Sequence, residues 1–359
     1  MIISPKGSPI SKLWVIAEAP LKKDVDKGYL FSSPMGWSFD KMMNDVGLTN
    51  YFVTYIEPTD TAHPQYKDKV IAAMNQYQPV LILSLDMGAA TLLPTKLRTS
   101  SDIEKQAGSL LQSSALNYEH YIMPTFGPQA CMANWTQRQV VKYIDLGKLK
   151  EEFTYWQIEG QLNPLPSYQL DIDLDIDFPR LLNKLTNWTD PLVPKLSVDI
   201  ENIYPRDKSD FYGHPGYPVI LSMAPNPVHG ISFHLFRESS HETALLWKAI
   251  ARLLATKKII GQNFFSHDSW YFDLLGMKVD RFNIIDTMYK HAVLWPELPH
   301  KLQFLTRQYT RQPYYKDENS GAGKKERERW MRYNATDACV TFMVDNGMEE
   351  ELNDRPHLR

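Results

Sequence analysis

The sequence predicts an α/β protein of two domains, on three observations. At 359 residues the chain exceeds what a single hydrophobic core comfortably organises. Up to about residue 150, short apolar runs alternate with helical patterns, the order expected of a largely parallel sheet. After Pro194, three strand-like runs precede the first helix, which predicts a mixed sheet with helices on both faces. Between these regions, residues 151–194 are rich in Pro, Asp and Asn. The expected division is therefore a domain over 1–150, a linker over 151–194 holding one strand and one short helix, and a domain over 195–359.

In the first domain LWVIA (13–17), YFVTYI (51–56), PVLILSL (79–85) and HYIMP (120–124) read as strands. Helical periodicity falls at about 36–46, 66–77, 86–93 and 135–150. In the second domain strands are expected at 195–202, 218–224 and 229–235, the first two parted by the turn HPGYP. A helix over 241–256, the strand KIIGQ, a helix from about 267 and a long helix over about 324–350 follow. Three sequential strands and then helix–strand alternation fit a ribonuclease-H-like layer.

Composition narrows the function classes. A formal net charge of −3 argues against a histone-like electrostatic binder of nucleic acid. No apolar run approaches the roughly 20 residues that span a bilayer, and MIISPKGSPISKLW lacks the apolar core of a signal peptide. Two cysteines, Cys131 and Cys339, cannot supply a four-thiolate zinc or iron–sulfur site. The expectation is a soluble cytoplasmic protein with reduced thiols.

The chemistry lies in the second half. In LSVDIENIYP, Asp199 and Glu201 are two apart, so on a strand they share a face while Val198 and Ile200 point the other way. In GQNFFSHDSWYF, Asp268 opens a helix just after a strand. In YNATDACVT, Tyr333 and Asp337 are four apart and share a helix face. Four carboxylates without His or Cys favour hard cations, Mg²⁺ or Mn²⁺. Two such ions about 4 Å apart activate water and stabilise the leaving oxygen in phosphodiester cleavage. Asp273 falls on another face of its helix and reads as solvated, as do the interleaved charges of GAGKKERERWMR (321–332). DIDLDIDF (171–178) repeats the acid alternation but lacks the Gly and Glu of a calcium loop, and is expected to be a half-exposed strand with acids facing water.

These residues resemble the motifs of the tyrosine-subclass DEDD 3′→5′ exonuclease domain that proofreads for family A (polymerase I-type) DNA polymerases. Asp199-Ile200-Glu201 matches its first motif, Asn263 to Asp268 its second and Tyr333 to Asp337 its third. DTMYKHAVLWPELPHKLQFLTRQYTRQPYYKDE is similar to the intervening stretch of phage-like enzymes, so the resemblance spans about 190–355. It implies that Asp199, Glu201 and Asp337 ligate the ion holding the attacking water. Asp199 would bridge to a second ion supported by Asp268, and Tyr333 would orient the water. Asn263 and Phe264 would contact substrate. His267 departs from the family, which usually has Tyr or Phe there.

Residues 14–41, WVIAEAPLKKDVDKGYLFSSPMGWSFDK, are similar to the first motif of the family 4 uracil-DNA glycosylases through Glu18, Pro20, Gly28, Phe31, Gly36, Asp40 and Lys41. QPVLILSLDMGAATLL and MPTFGPQACMANWTQRQVVKYIDLGKL extend the resemblance over roughly 10–150. The pocket it implies is degenerate. Tyr55 stands at the uracil-reading Asn, Gly127 at the motif His and Leu21 at a Gly, while Phe31 keeps the stacking position and Asp24 lies near the catalytic acid. The four cysteines of an iron–sulfur cluster are not available. An inactive glycosylase-shaped domain is expected, serving either DNA binding through Lys22, Lys23 or Lys27 or docking to a polymerase.

Together the readings predict a metal-dependent 3′→5′ exonuclease acting on single-stranded or frayed DNA ends in a bacterial or phage-infected cell. No polymerase sequence follows the exonuclease region, so the expected partner is a separate polymerase, or the chain is part of a longer enzyme. The alternatives are an RNase D-like exoribonuclease, a non-catalytic replisome scaffold and a uracil-repair enzyme.

Overall fold

A computed structural model describes residues 3–56, 66–86, 100–203, 216–316, 326–355 and 357. The chain divides into two units, Met1–Leu165 with Arg311–Tyr314, and Pro166–Thr310 with Tyr315–Arg359.

The first unit is built on strands β1 (Leu13–Ala17), β2 (Phe52–Tyr55), β3 (Leu81–Leu85) and β4 (Tyr121–Thr125). They run parallel in the order β2-β1-β3-β4. All but Ala17 are buried, which is why a run such as LILSL is apolar without alternation. The helices are α1 (Lys22–Lys27), α2 (Pro34–Asp45), α3 (Tyr66–Tyr77), α4 (Ser100–Gln106), α5 (Pro128–Ala133), α6 (Trp135–Gln139) and α7 (Leu146–Glu159). Ser33 caps α2 by accepting from the Gly36 amide, and Pro34 occupies the first helical position. A π-helical turn over Val140–Asp145 joins α6 to α7, so the helix expected over 135–150 runs on to Glu159. Arg311 forks onto buried Glu152, with Nη2 2.9 Å from Oε2. The helix expected at 86–93 lies outside the described residues, apart from Asp86.

In the second unit, strands β5 (Gln169–Ile172), β6 (Lys195–Ile203), β7 (Tyr217–Asn226), β8 (His229–His234), β9 (Lys258–Gly261) and β10 (Ile284–Asp286) form one sheet in the order β10-β9-β6-β7-β8-β5. The pairs β6/β7 and β7/β8 are antiparallel and the others parallel. Around the sheet are α8 (Phe178–Asn187), α9 (Ser240–Thr256), α10 (Asp268–Leu274), α11 (Thr287–Leu294), α12 (Leu302–Tyr309) and α13 (Arg327–Asp354). Val198 and Ile200 of β6 join Leu246, Ile250 and Leu253 of α9 in the main core. Val340, Val344 and Met348 of α13 join Leu305 of α12 in a second cluster.

The segment expected to be a linker is shared between the units. Helix α7 extends into it from the first, while β5 and α8 build the second: β5 is the sheet edge beside β8, and Leu181 and Leu185 of α8 are buried in the core. The acids of DIDLDIDF are also not simply solvated. Asp171 pairs with Lys184 at 2.9 Å, Asp173 with Arg237 at 2.7 Å and His234 at 2.9 Å, and Asp177 caps α8 through the Arg180 amide. The parallel pairing of β5 with β8 brings Asp171 and Asp173 beside His229 and His234. Among the described residues, no helix is long and apolar enough to cross a membrane.

Candidate active site

The central strand β6 sets the first two carboxylates. Val198 and Ile200 are 1% and 3% exposed, so alternation turns Asp199 and Glu201 together to the opposite face, where both are half-buried. Helix α13 brings to this face a stripe of Trp330, Tyr333, Asn334 and Asp337, at i, i+3, i+4 and i+7. Asn334 is the fixing point. Its Nδ2 donates to Asp199 Oδ2 at 2.7 Å, and its Oδ1 accepts from Ser232 Oγ of β8 at 3.0 Å. Gly230 allows the approach, because a Cβ there would meet the Ala335 carbonyl oxygen and Cys339 Sγ, each at 2.8 Å. The Trp330 indole donates to Glu201. One oxygen from each of Asp199, Glu201 and Asp337 then lies within 4.8 Å of the other two.

Asp268 approaches from α10. It is 2% exposed, and its Oδ1 accepts the Ile200 amide at 3.0 Å, on the strand between Asp199 and Glu201. The loop ahead of it is held by Asp286 at the end of β10, which accepts from the amides of Asn263 (3.1 Å), Phe265 (3.2 Å) and Met288 (3.0 Å). Asn263 takes a left-handed conformation, φ 57°, tolerable for Asn. His267 is accommodated without disturbing the carboxylate. Its Nδ1 is 3.5 Å from Asp268 Oδ2, its Nε2 meets Asn202 Nδ2 at 2.9 Å, and its ring packs edge-on against Tyr271.

The acids pay for their proximity. Burial, then the charges of Asp337, Glu201 and Asp268, raise Asp199 well above the usual carboxylate range. Burial and then Asp337 push Glu201 to about 7, and burial raises Asp268. Carboxylates held this close ionise together only beside positive charge. Burial, followed by the charge of Asp337, also raises the Tyr333 phenol, so it keeps its proton at neutral pH. Part of the counter-charge is internal. Lys316 Nζ lies 2.6 Å from both oxygens of Asp337 and 3.0 Å from Tyr333 Oη, and Tyr315 Oη donates to Asp337 as well.

Of the residues the sequence singled out, Asp199, Glu201 and Asp337 converge, Tyr333 stands beside Asp337, and Asp268 joins them through the Ile200 amide between the two strand acids. Phe264, expected to contact substrate, turns inward. It is fully buried and stacks on Phe272 at 6.0 Å, whereas its neighbour Phe265 is 41% exposed. Lys316, Tyr315, Asn334, Trp330 and Asp286 escaped the sequence reading. Only Asn334 and Trp330 carried a signal, the helical spacing that puts them on the face of Tyr333 and Asp337.

In the first unit, the positions of the expected degenerate pocket lie at or beyond the carboxyl ends of β1, β2 and β4, the end at which α/β sheets commonly bind ligands. Asp24 is 1% exposed and spends its carboxylate on the Phe31 and Ser33 amides and the Ser32 hydroxyl. The Phe31 ring, expected to stack on a base, is buried beside Phe39. Tyr55 is fully buried and accepts the Ile3 amide. At Gly127 a side chain would have to displace the Asp86 carboxylate, since a Cβ there would lie 2.1 Å from Asp86 Oδ2.

Residues 229–353 match the 3′–5′ exonuclease family model. The structure is similar to the EXO domain of Nibbler from Aedes aegypti, at 15% identity and a TM-score of 0.39, covering 52% of this chain and 88% of that one. It is also similar to RNase D from Trypanosoma brucei, at 14% identity and a TM-score of 0.37, covering 51% of this chain and 64%, less than two thirds, of that one. The EXD2 exonuclease domain, in a structure soaked with Mg and dGMP, is 14% identical with a TM-score of 0.24, covering 52% of this chain and 94% of that one. No curated protein matches the sequence. The family match begins downstream of β6, and the geometry adds that strand and its two acids to the site. The chain carries a 3′–5′ exonuclease domain, and the mixed sheet of the second unit is consistent with ribonuclease-H-like architecture.

Proposed function

We propose that the second unit is a divalent-metal-dependent 3′→5′ exodeoxyribonuclease that trims single-stranded or frayed DNA ends to nucleoside monophosphates, proofreading for a DNA polymerase in the cytoplasm of a bacterial or phage-infected cell. The observation that carries this reading is the convergence of Asp199, Glu201 and Asp337 beside Tyr333. The donor set fits the implied ions: the three carboxylates offer hard oxygen ligands within 4.8 Å of one another, and their cost of ionising together calls for added positive charge. Asp199, Glu201 and Asp337 would hold one Mg²⁺ or Mn²⁺, with Asp199 and Asp268 serving a second. Bound there, such ions supply Lewis-acid activation of water and neutralise charge on the phosphodiester.

The chain's own residues do the positioning. Asn334 fixes the carboxylate of Asp199, and the Ile200 amide fixes that of Asp268. Tyr333, still protonated, orients the attacking water by hydrogen bonding rather than by taking its proton. Attack forms the bond from the water oxygen to phosphorus and breaks the P–O3′ bond; the water's proton passes to solvent, and the departing 3′ oxygen gains one from solvent. The preference for DNA is supported by the phage-polymerase-like stretch PELPHKLQFLTRQYTRQPYYKDE. For the first unit we propose a glycosylase-shaped module without base-excision activity, which contacts DNA through Lys22, Lys23 or Lys27 or docks a polymerase. Its buried Asp24 and Tyr55 support the inactive reading.

Digestion of matched 5′-labelled single strands of DNA and RNA in Mg²⁺ tests the proposal. The expected result is a ladder of progressively shorter labelled DNA, formed faster than from RNA. Faster RNA digestion would make this an RNase D-like exoribonuclease.

A further inference from the structure

The site contains a cation of its own. Lys316 Nζ sits 2.6 Å from each oxygen of Asp337 and 3.0 Å from Tyr333 Oη, and lies over the rings of Tyr333 and Tyr315 at 5.0 and 5.1 Å. Its side chain is 20% exposed. An ion pair on a half-buried face is ordinarily a stabilising contact, but this one occupies particular lone pairs. A carboxylate offers about four acceptor positions. Those of Asp337 are taken up by two contacts from Lys316, the Tyr315 hydroxyl and the Tyr333 hydroxyl. Asp337 is also one of the three carboxylates whose oxygens cluster within 4.8 Å. A divalent ion that ligates Asp337 must therefore displace one of these donors. Tyr315 and Tyr333 are 5% and 7% exposed, with rings packed in the second core cluster. The ammonium is a point charge on a flexible four-carbon stem, and it is the donor free to move.

We propose that Lys316 is a positioning residue that acts as the resident counter-cation of Asp337 and Tyr333 and competes with divalent ions for Asp337. Loading is then an exchange of ammonium for metal. It leaves the ammonium beside Tyr333, at the edge of the site an anionic phosphodiester must reach. The inference rests on the reading that Asp199, Glu201 and Asp337 bind metal, and it deepens that reading by making metal affinity depend on a residue that is not a ligand.

Mn²⁺ binding to the full chain without nucleic acid, followed by electron paramagnetic resonance of free Mn²⁺, tests it apart from activity. Lys316→Met and Lys316→Gln are expected to bind Mn²⁺ about 10-fold more tightly than the wild type, because a competing unit charge is gone. Lys316→Arg keeps the charge and is expected to stay within about 3-fold. A merely structural lysine predicts the opposite, unchanged or weaker binding in the neutral variants, with circular dichroism separating a folding defect. If neither neutral variant binds more tightly while Asp199→Ala/Glu201→Ala still abolishes binding, the competition is refuted and the metal site stands. If Mn²⁺ binding ignores the double substitution, the site reading falls and the inference with it.

Discussion

At Tyr333 the phenol oxygen accepts from Lys316 while burial and the Asp337 charge keep its proton in place. Its proposed task needs only the hydroxyl, so Tyr333→Phe is expected to lower the exonuclease turnover on the order of 100-fold, as loss of one well-placed hydrogen bond does, with Mn²⁺ affinity little changed. Single-turnover digestion alongside metal titration checks both halves. At this scale the sequence was most informative where local geometry settles the direction of a side chain. Asp199 and Glu201 share a face by strand alternation, and Tyr333 and Asp337 by helical spacing. It was silent where a role depends on distant segments meeting. Nothing local distinguishes Lys316 from an ordinary surface lysine, or tells that Phe264 turns inward while Phe265 turns out. The acids of DIDLDIDF looked solvated because their partners His234 and Arg237 come from another strand and the turn beyond it.

Helices α11 and α12 are clasped by His291, which is fully buried. Its Nε2–H donates to Gln308 Oε1 at 3.1 Å, leaving Nδ1 to accept from His300 Nδ1–H at 2.7 Å. A proton added to His291 would set two N–H groups against each other. Burial lowers His291 to about 4 from the ordinary 6.5. The unfolded chain therefore binds this proton first as pH falls. The contribution is intact above pH 6.5 and is lost progressively down to about pH 4, costing at most about 3 kcal/mol. Urea melts across this range are expected to show a shallower pH dependence for His291→Asn than for the wild type. Neither helix was legible beforehand. Each spans only eight residues, with Pro296 and Pro299 in the connection between them, and the three-residue strand β10 is too brief for periodicity to register. Longer elements such as α3, α9 and α13 were evident because their apolar spacing persists over several turns.

Across the whole molecule, two strand orders were foreseeable in outline: a parallel sheet where strand and helix alternate, and a mixed sheet where three strands come first. The division of the linker was not, because β5 gains its place only by pairing with β8, more than fifty residues later. The family match over 229–353 leaves β6 outside, and yet β6 supplies Asp199 and Glu201. The central claim is that these two acids, with Asp337, form the nuclease centre. The direct measurement is Mg²⁺-dependent shortening of 5′-labelled single-stranded DNA by Asp199→Ala/Glu201→Ala beside the wild type, with both shown folded by circular dichroism. The account predicts a laddering wild type and a double variant slowed by at least about 1,000-fold. Equal degradation by the two would contradict it and place the activity elsewhere.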